Sequence, residues 1–543
     1  MAVLQRRRAA AVLMPGPITA VAAKAVLHGK DEVACLDVRE HGQYGEGHPF
    51  LAVPCPCSRL EILAPALLPR ASVPVILVDD GDGVAERAAA ALAGLGYRDV
   101  AWIEGGAAAW AQAGFTLFKG VNLPSKTLGE LLEAEWHVPR IDVETLDAWQ
   151  REERAFHLFD GRPASEYRKM TIPDAASMPN GELAHRFSVA DPAEPVVIHC
   201  AGRTRSIVGA ASLALAGVPN PVFALENGTQ GWALSGRALH HGATPAPLPD
   251  LSEDARLRSR DRADAVIAAN RLTVIKPGDL DRLAADPART LYVLDVRTEA
   301  EFAAGTLTGA VHAPAVQLVQ ASDAWLGVRR ARVVLGCDTG LRSATAAVFL
   351  AALNYEVFVL PGIETFSGHS GPGRRDAPTP PTLPALEPMS VEAAVALAAA
   401  GETLLDLRGS LDFRAGHLAG ARWAIRPRLG GLDPARPVAL VGTAEVVALA
   451  ARDLRAAGHA DIRHVAGDPA VWRASGLAVE AMSDDPPDEA AIDHLFFVHD
   501  RHDGNLDAAR RYLAWEMGLV AQLDPAERAE YRIGPGPFAS PRA

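Results

Sequence analysis

Two cysteines stand at matching places in the chain, and each opens a short segment that contains glycine and arginine. The segments read Cys200-Ala201-Gly202-Arg203-Thr204-Arg205-Ser206 and Cys337-Asp338-Thr339-Gly340-Leu341-Arg342-Ser343. An arginine follows each cysteine by five positions, at Arg205 and Arg342. A thiolate is a nucleophile, and a guanidinium binds oxyanions well. The spacing therefore predicts thiol chemistry on an anionic substrate.

Both cysteines follow a β-branched apolar run and precede an alanine-rich stretch with helical character. Open α/β sheets bind ligands in such strand-to-helix loops, where backbone N–H groups and the helix dipole favour anions. The same features lower the pKa of a thiol, and Gly202 and Gly340 would let the backbone curl around the sulfur. Asp338 should oppose ionisation of Cys337, so we rank Cys200 first for reactivity.

These loops belong to a pattern that occurs four times. An acidic strand end with an arginine two residues on appears as "CLDVRE", "LFDGRP", "VLDVRT" and "LLDLRG". Each copy continues with a buried-type strand, a helical stretch, a second strand and a Gly-containing turn. The order predicts an α/β fold with four tandem domains, each a parallel sheet flanked by helices.

Pro-rich linkers and the end of the repeat pattern set the expected limits. We predict domains over 15–120, 128–245, 262–372 and 386–482, followed by a helical tail over 483–543. The tail contains one amphipathic stretch, "NLDAARRYLAWEMGLVAQL".

The D-x-R strand ends, the C-x-x-G-x-R-S loop at Cys337 and the segment "ENGTQGW" resemble the rhodanese-like sulfurtransferase family. The resemblance covers about residues 15–480. It implies that a catalytic thiolate at Cys200 or Cys337 takes the outer sulfur of thiosulfate or a related persulfide. The resulting cysteine persulfide would pass this sulfur to cyanide or a thiol. The loop residues 201–206 and 338–343 would then form the substrate-binding cradles.

The first and fourth repeats depart from the family pattern. Alignment of the strands places Asp79 and Gly442 where the other repeats have cysteine. A carboxylate cannot carry a sulfane sulfur, and glycine has no side chain. We expect these two domains to be structural or partner-binding.

Other polar clusters have simpler interpretations. The four Asp–Arg pairs also occur in the repeats without cysteine, which favours structural ion pairs. Cys55 and Cys57 lack a second pair at metal-ligand spacing, and the histidines of "DHLFFVHDRHDGN" are best interpreted as a polar turn. We expect no metal and no cofactor.

Composition limits the partners. A formal charge of −13 argues against nucleic acid, and no apolar run is long enough to span a bilayer. Five cysteines do not form a disulfide framework. Pro15 and Pro17 interrupt the stretch after Arg6–Arg8, so we expect no export signal and a cytoplasmic protein. The expected partners are a small sulfur donor and a thiol or cyanide acceptor, with a protein acceptor as a further option.

Two alternatives stay open. A non-enzymatic persulfide carrier or scaffold would use the same cysteines. A phosphatase or arsenate reductase is disfavoured, because the related cell-cycle phosphatases have a loop one residue longer than the four residues found here between cysteine and arginine.

Overall fold

The structure is a computed structural model that describes residues 15–188, 191–366, 376–379 and 381–538. Arg6–Arg8, the end of the predicted third domain (367–372) and the end of the tail (539–543) lie outside the described residues. Within the described ranges, no helix is long and apolar enough to cross a membrane.

Four repeats of strands and helices follow one another along the chain. The first contains β1 Gly16–Ile18, α1 Ala20–Leu27, β2 Val33–Asp37, α2 His41–Glu46, β3 Val53–Pro54, α3 Leu60–Leu67, β4 Val75–Val78, α4 Val84–Gly94, β5 Val100–Ile103 and α5 Gly106–Gln112. The second contains α6 Leu123–Trp136, β6 Arg140–Ile141, α7 Val143–Arg151, β7 His157–Asp160, α8 Ala164–Lys169, β8 Ala176–Ser177, α9 Asn180–Arg186, β9 Val196–His199, α10 Thr204–Leu215, β10 Val222–Leu225 and α11 Gly228–Leu234.

The third repeat contains α12 Glu253–Asn270, β11 Thr273–Val274, α13 Pro277–Ala284, β12 Leu291–Asp295, α14 Glu299–Ala304, β13 Val311–His312, α15 Ala315–Gln320, β14 Val328–Arg329, β15 Arg332–Cys337, α16 Leu341–Ala352 and β16 Glu356–Pro361. The fourth contains β17 Glu387–Met389, α17 Val391–Ala399, β18 Thr403–Asp406, α18 Ser410–Ala415, β19 His417–Leu418, β20 Arg422–Trp423, β21 Val438–Val441, α19 Ala444–Ala456, β22 Ile462–Val465, α20 Pro469–Ala474 and β23 Val479–Glu480. The tail adds α21 Leu506–Met517, α22 Leu519–Gln522 and α23 Pro525–Arg528.

The four main sheets share one parallel strand order. It runs β1-β5-β4-β2 with β3 paired to β2, then β6-β10-β9-β7-β8, β11-β16-β15-β12-β13 and β17-β22-β21-β18-β20. The strand before each loop of interest (β4, β9, β15 or β21) therefore lies in the middle of its sheet. Its apolar residues are buried, as expected for a parallel strand covered on both faces. This confirms the predicted fold class of tandem parallel sheets flanked by helices.

A bidentate Asp–Arg pair closes the end of a strand in every repeat. Asp160 accepts hydrogen bonds from Nε and Nη2 of Arg162, and the equivalent contacts join the other three pairs. Each arginine also donates to the backbone carbonyl eight residues further along the chain, namely that of Gly47, Met170, Gly305 or Gly416. The pairs thus fix the chain that follows each strand, which supports the structural interpretation.

The chain divides into two compact units. One unit contains residues 34–120 and 378–497, together with the segment that ends at Ala25. It therefore contains most of the first repeat and the fourth repeat. The other holds 26–33, 121–377 and 498–543, and so contains the second and third repeats with the tail helices. The residue limits given above for the separate domains stay predictions.

Candidate functional site

Both cysteines lie where a central strand gives way to a helix. Cys200 comes directly after β9, and Thr204 begins α10. Cys337 is the last residue of β15, and Leu341 begins α16. Each helix therefore starts within a few residues of a thiol, at the carboxyl end of a parallel sheet where α/β folds place their ligands.

Hydrogen bonds hold the Cys200 loop in a fixed shape. The Cys200 thiol is 2% exposed and donates to Oγ of Ser206 at 3.8 Å, and that hydroxyl donates to the carbonyl of Arg203 at 2.7 Å. From α11, the N–H groups of Thr229 and Gln230 donate to the carbonyls of Cys200 and Ala201 at 2.8 and 3.1 Å. The loop is thus built before any substrate arrives.

Carboxylates already pair with both arginines of this loop. Arg205 forms two hydrogen bonds with Glu166, at 2.6 and 2.8 Å, and Arg203 bonds to Glu130 and Glu133. Burial opposes ionisation of Glu166, yet Arg205 holds the pKa of that carboxyl below its usual value. Burial raises the pKa of Glu130 to about 7 despite its bonds to Arg203. The positive charge expected to attract an anionic donor is therefore largely balanced within the protein.

The tail also reaches the Cys200 loop. Thr204 donates from its hydroxyl to Oε1 of Glu516 at 2.8 Å. A Cβ placed on Gly202 would lie 3.1 Å from the ring of Tyr512 and 3.0 Å from Oε2 of Glu516. Gly202 does not have a positive φ, so glycine is needed here for the close approach of the tail.

The Cys337 loop surrounds its sulfur more directly. The N–H of Gly340 donates to Sγ of Cys337 at 3.1 Å, and Gly340 has a φ of +91°, a conformation that favours glycine. Leu341 and Ser343 are buried in the first turn of α16. The thiol is fully buried at 0% exposure.

Negative charge dominates around Cys337. Its loop arginine, Arg342, bonds to Glu182, Glu301 and Asp338 at 2.7–2.8 Å. Burial, and after it the charge of Asp338, raises the pKa of Cys337 to about 11, against the opposing effect of Arg342. This thiol is therefore mostly protonated at neutral pH.

One group near Cys337 has the residue types of a metal site. Among the described residues, ligand atoms of His185, Glu301 and Asp338 lie within 4.8 Å of one another. Arg342 already places its guanidinium against both carboxylates, and His185 bonds through Nδ1 with Ser259 at 2.9 Å. Burial, followed by the charge of Arg342, lowers the pKa of His185 to about 4. The cation that this cluster holds is therefore an arginine.

In the first repeat, the side chain of Asp79 takes the place of the cysteine in the loop. Asp79 follows β4, and its carboxylate accepts from the N–H of Gly81 at 2.9 Å and from that of Ala85 at 3.0 Å. Backbone N–H groups of this loop thus bond to the side chain of Asp79, as the N–H of Gly340 bonds to the sulfur of Cys337. The carboxylate cannot form a persulfide, so this loop has the architecture without the nucleophile.

The fourth repeat has a shorter loop at this place. Only Gly442 and Thr443 separate β21 from α19. A cavity of about 540 Å³ lies next to this loop. Its lining residues include Thr443, Arg408, Glu40, Arg59 and Asp493. No thiol is among the lining residues, so sulfur cannot be carried there covalently.

Several side chains of both sites were missed by the sequence analysis. The carboxylate partners of the arginines (Glu130, Glu133, Glu166, Glu182 and Glu301) and the tail residues Tyr512 and Glu516 belong to this group. Glu166 and Glu301 follow the D-x-R motif of their own repeat by four residues, a spacing that could have pointed to them. The others come from distant parts of the chain and leave no local pattern.

Comparison with known proteins agrees with this architecture. The profile of the rhodanese-like domain family matches residues 19–113, 142–235 and 276–364. The fourth sheet lies outside these matches, although it has the same strand order. A comparison with curated proteins gives no match.

Among solved structures, the thiosulfate sulfurtransferase from Pseudomonas aeruginosa is 35% identical, with a TM-score of 0.84 over 95% of this chain and 99% of that protein. A rhodanese-like domain from Anabaena sp is 28% identical over 20% of this chain and 80% of that domain, with a TM-score of 0.19. The three profile matches and the likeness over nearly the whole length show that this chain belongs to the rhodanese-like family.

Proposed function

We propose that this protein is a sulfurtransferase that moves sulfane sulfur from thiosulfate, or a related persulfide donor, to cyanide or a thiol. The observation that carries the proposal is the position of Cys200, at the end of a central strand in a preformed loop before α10. The likeness to a thiosulfate sulfurtransferase supports the same activity and the choice of thiosulfate as donor.

The reaction has two steps. The Cys200 thiolate attacks the outer sulfur of thiosulfate, an Sγ–S bond forms, and sulfite leaves with the electron pair of the broken S–S bond. The persulfide anion then gives its outer sulfur to cyanide, which becomes thiocyanate, and the cysteine leaves as thiolate. Such covalent catalysis predicts ping-pong kinetics. The start of α10 would stabilise the negative charge in both states.

We assign the main activity to Cys200 and a smaller one to Cys337. With a pKa of about 11, the Cys337 thiol provides little thiolate at neutral pH. Substrate-binding roles for residues 201–206 and 338–343 are part of the same proposal. We also propose a cytoplasmic location, since all five cysteines are free thiols.

The burial of both thiols favours an enzyme over a carrier. A carrier that hands sulfur directly to another protein needs a thiol that the partner's cysteine can reach. Exposures of 2% and 0% are suited to small donors and acceptors. Phosphatase chemistry stays disfavoured, because each loop has four residues between cysteine and arginine, one fewer than in the related cell-cycle phosphatases.

The test compares thiocyanate production by the wild type, Cys200→Ser, Cys337→Ser and the double variant. We expect Cys200→Ser to lose at least about 90% of the activity, because a hydroxyl is a far weaker nucleophile than a thiolate. Mass spectrometry after thiosulfate treatment should find one added sulfur on the peptide that contains Cys200.

Cys57→Ser is the matched control, since this buried thiol lies outside both loops. It should keep wild-type activity. Full activity in the double variant would refute the assignment of both cysteines. A wild type that forms neither persulfide nor thiocyanate from thiosulfate would leave the carrier role, with another donor, as the better account.

A further inference from the structure

The tail helix α21 packs beside the Cys200 loop. It contacts α6 and α11, two helices that also contact this loop or the start of α10. Tyr512 and Glu516, one turn apart on α21, both approach Gly202. Neither residue belongs to a rhodanese-like profile match, because the last of these ends at residue 364. A segment outside the matched domains thus forms part of the surroundings of the thiol.

Charged groups hold this face of α21 in place. Lys126 of α6 donates to the hydroxyl of Tyr512, lies 4.8 Å from the centre of its ring and is 3.7 Å from Oε1 of Glu516. The guanidinium of Arg501 lies 4.5 Å from the same ring centre on a cation–π contact. These contacts hold the ring of Tyr512 in a fixed position beside the Cys200 loop.

The rest of the tail is anchored as firmly. Trp136 donates to the carbonyl of Gly534 at 2.8 Å, and the N–H of Arg532 donates to the carbonyl of Ala352 at 2.9 Å. Tyr531 donates to the carbonyl of Pro124 at 2.9 Å, and Glu530 pairs with Arg330 at 2.6 Å. These contacts of residues 530–534 anchor the chain on the C-terminal side of α21 and indicate that the helix stays beside the Cys200 loop.

Glu516 adds negative charge at the start of α10. It is 1% exposed, and Oε1 accepts from Thr204. Its other oxygen, Oε2, has no hydrogen-bond partner among the described residues, and it faces Gly202. A buried carboxylate with an unsatisfied oxygen repels another carboxylate that is held close to it, because the local dielectric constant is low.

We propose that Tyr512 and Glu516 are specificity-determining residues of the Cys200 site, which select small sulfur acceptors over bulky anionic thiols. This inference rests on the proposed sulfurtransferase function. The ring of Tyr512 limits the size of an acceptor that can reach the persulfide, and the carboxylate of Glu516 disfavours acceptors with their own carboxylates. Cyanide fits both limits, whereas a thiol such as glutathione meets both barriers.

The experiment loads Cys200 with sulfur from thiosulfate and follows its discharge to three acceptors in the Cys337→Ser background. Cyanide is small, dithiothreitol is larger and neutral, and glutathione is larger and anionic. For Tyr512→Ala, we expect the rates with dithiothreitol and glutathione to rise roughly tenfold relative to cyanide, since the limit on size is removed. For Glu516→Gln, we expect a rise of roughly tenfold with glutathione and little change with dithiothreitol.

Two variants serve as controls. Tyr512→Phe keeps the ring and should keep the wild-type preference among acceptors. Met517→Ala changes a side chain of the same helix that is 52% exposed, and it should alter none of the three rates. If Tyr512→Ala does not fold, Glu516→Gln still tests the proposal, because it should raise the rate with glutathione and leave the rate with dithiothreitol nearly unchanged.

The outcomes distinguish a failure of the specificity proposal from a failure of the proposed sulfurtransferase function. The proposed role of Tyr512 and Glu516 would be overturned if the discharge rates changed equally for all three acceptors, or if they changed in neither Tyr512→Ala nor Glu516→Gln. The sulfurtransferase function would stand in both cases. Failure of the wild type to form a persulfide at Cys200 would overturn both.

Discussion

The two thiols differ most in the charges around them. Asp338 directly follows Cys337 and lies 2.8 Å from Arg342, whereas Ala201 occupies the same position after Cys200. The position of Asp338 in the sequence predicts that it opposes ionisation, and the raised pKa of Cys337 has this charge as its second cause after burial. The relative reactivity of the two cysteines stays a prediction.

We expect Asp338→Asn to lower the pKa of Cys337, because it removes a negative charge that disfavours the thiolate. The pKa in the wild type is about 11, so the thiolate is the major form only above that pH, and the variant should ionise at lower pH. Each unit of this decrease gives roughly ten times more thiolate at neutral pH. Ultraviolet titration of Cys200→Ser, minus that of Cys200→Ser/Cys337→Ser, isolates the Cys337 signal.

Asp279→Asn is a suitable control for this titration, since Asp279 lies on the outer helix α13 and pairs with Arg282. It should leave the pKa of Cys337 unchanged. An unchanged pKa in Asp338→Asn as well would show that burial alone protects the thiol.

At the scale of elements, the short helix α9 touches both cysteine loops. Its first residue, Asn180, donates to the carbonyl of Arg205 at 2.6 Å. Two residues later, Glu182 pairs with Arg342 at 2.8 Å. Further along the same helix, His185 bonds with Ser259, whose hydroxyl also bonds with Thr339. A helix of the second repeat therefore supports the nucleophile loop of the third.

We expect Asn180→Ala to loosen the first turn of α10, because the carbonyl of Arg205 loses a buried hydrogen bond worth about 1 kcal/mol. Hydrogen–deuterium exchange should rise in residues 204–208, and kcat/KM at Cys200 should fall by several-fold. Asn270→Ala provides the control, since Asn270 bonds only to a carbonyl of its own helix. Protection that stays at the wild-type level in Asn180→Ala would show that α11 holds the loop by itself.

At the scale of the whole molecule, a buried ion pair joins repeats that are far apart in sequence. Arg426 of the fourth repeat donates to both oxygens of Glu61 in the first, at 2.6 and 2.9 Å, and to the carbonyl of Cys57. Although burial opposes ionisation, these bonds and the charge of Arg426 hold the pKa of Glu61 below its usual value. The pair is internal to the unit that contains both repeats.

We expect Arg426→Met to lower the free energy of unfolding of this unit by about 3 kcal/mol, since it leaves a buried carboxylate without its main partner. Adding Glu61→Met should recover much of the loss, because two packed apolar side chains can replace a buried pair. Thermal and urea unfolding of the full chain would measure both changes. Equal destabilisation by the single and double variants would mean that packing, and not the unpaired charge, sets the cost.

Local patterns made the four sheets and the two cysteine loops predictable. The D-x-R strand ends and the apolar runs before Cys200 and Cys337 are short segments whose physical demands are met by neighbouring residues. The long-range contacts of these loops could not be predicted in this way: Glu182 is 160 residues from Arg342, and Glu516 is 312 from Thr204. Ion pairs and packing over such separations depend on the finished fold, which no local spacing encodes.

The carboxylate of Asp79 distinguishes the loop of the first repeat from the Cys200 loop of the second. Under the proposed mechanism, the Cys200 loop alternates between bare and sulfur-loaded forms, so its internal contacts must serve both. The loop of Asp79 has a single occupant, its own carboxylate, which accepts from the N–H groups of Gly81 and Ala85. These two donors are therefore already bonded within the protein, and a small anion such as sulfite would have to displace a tethered carboxylate to reach them.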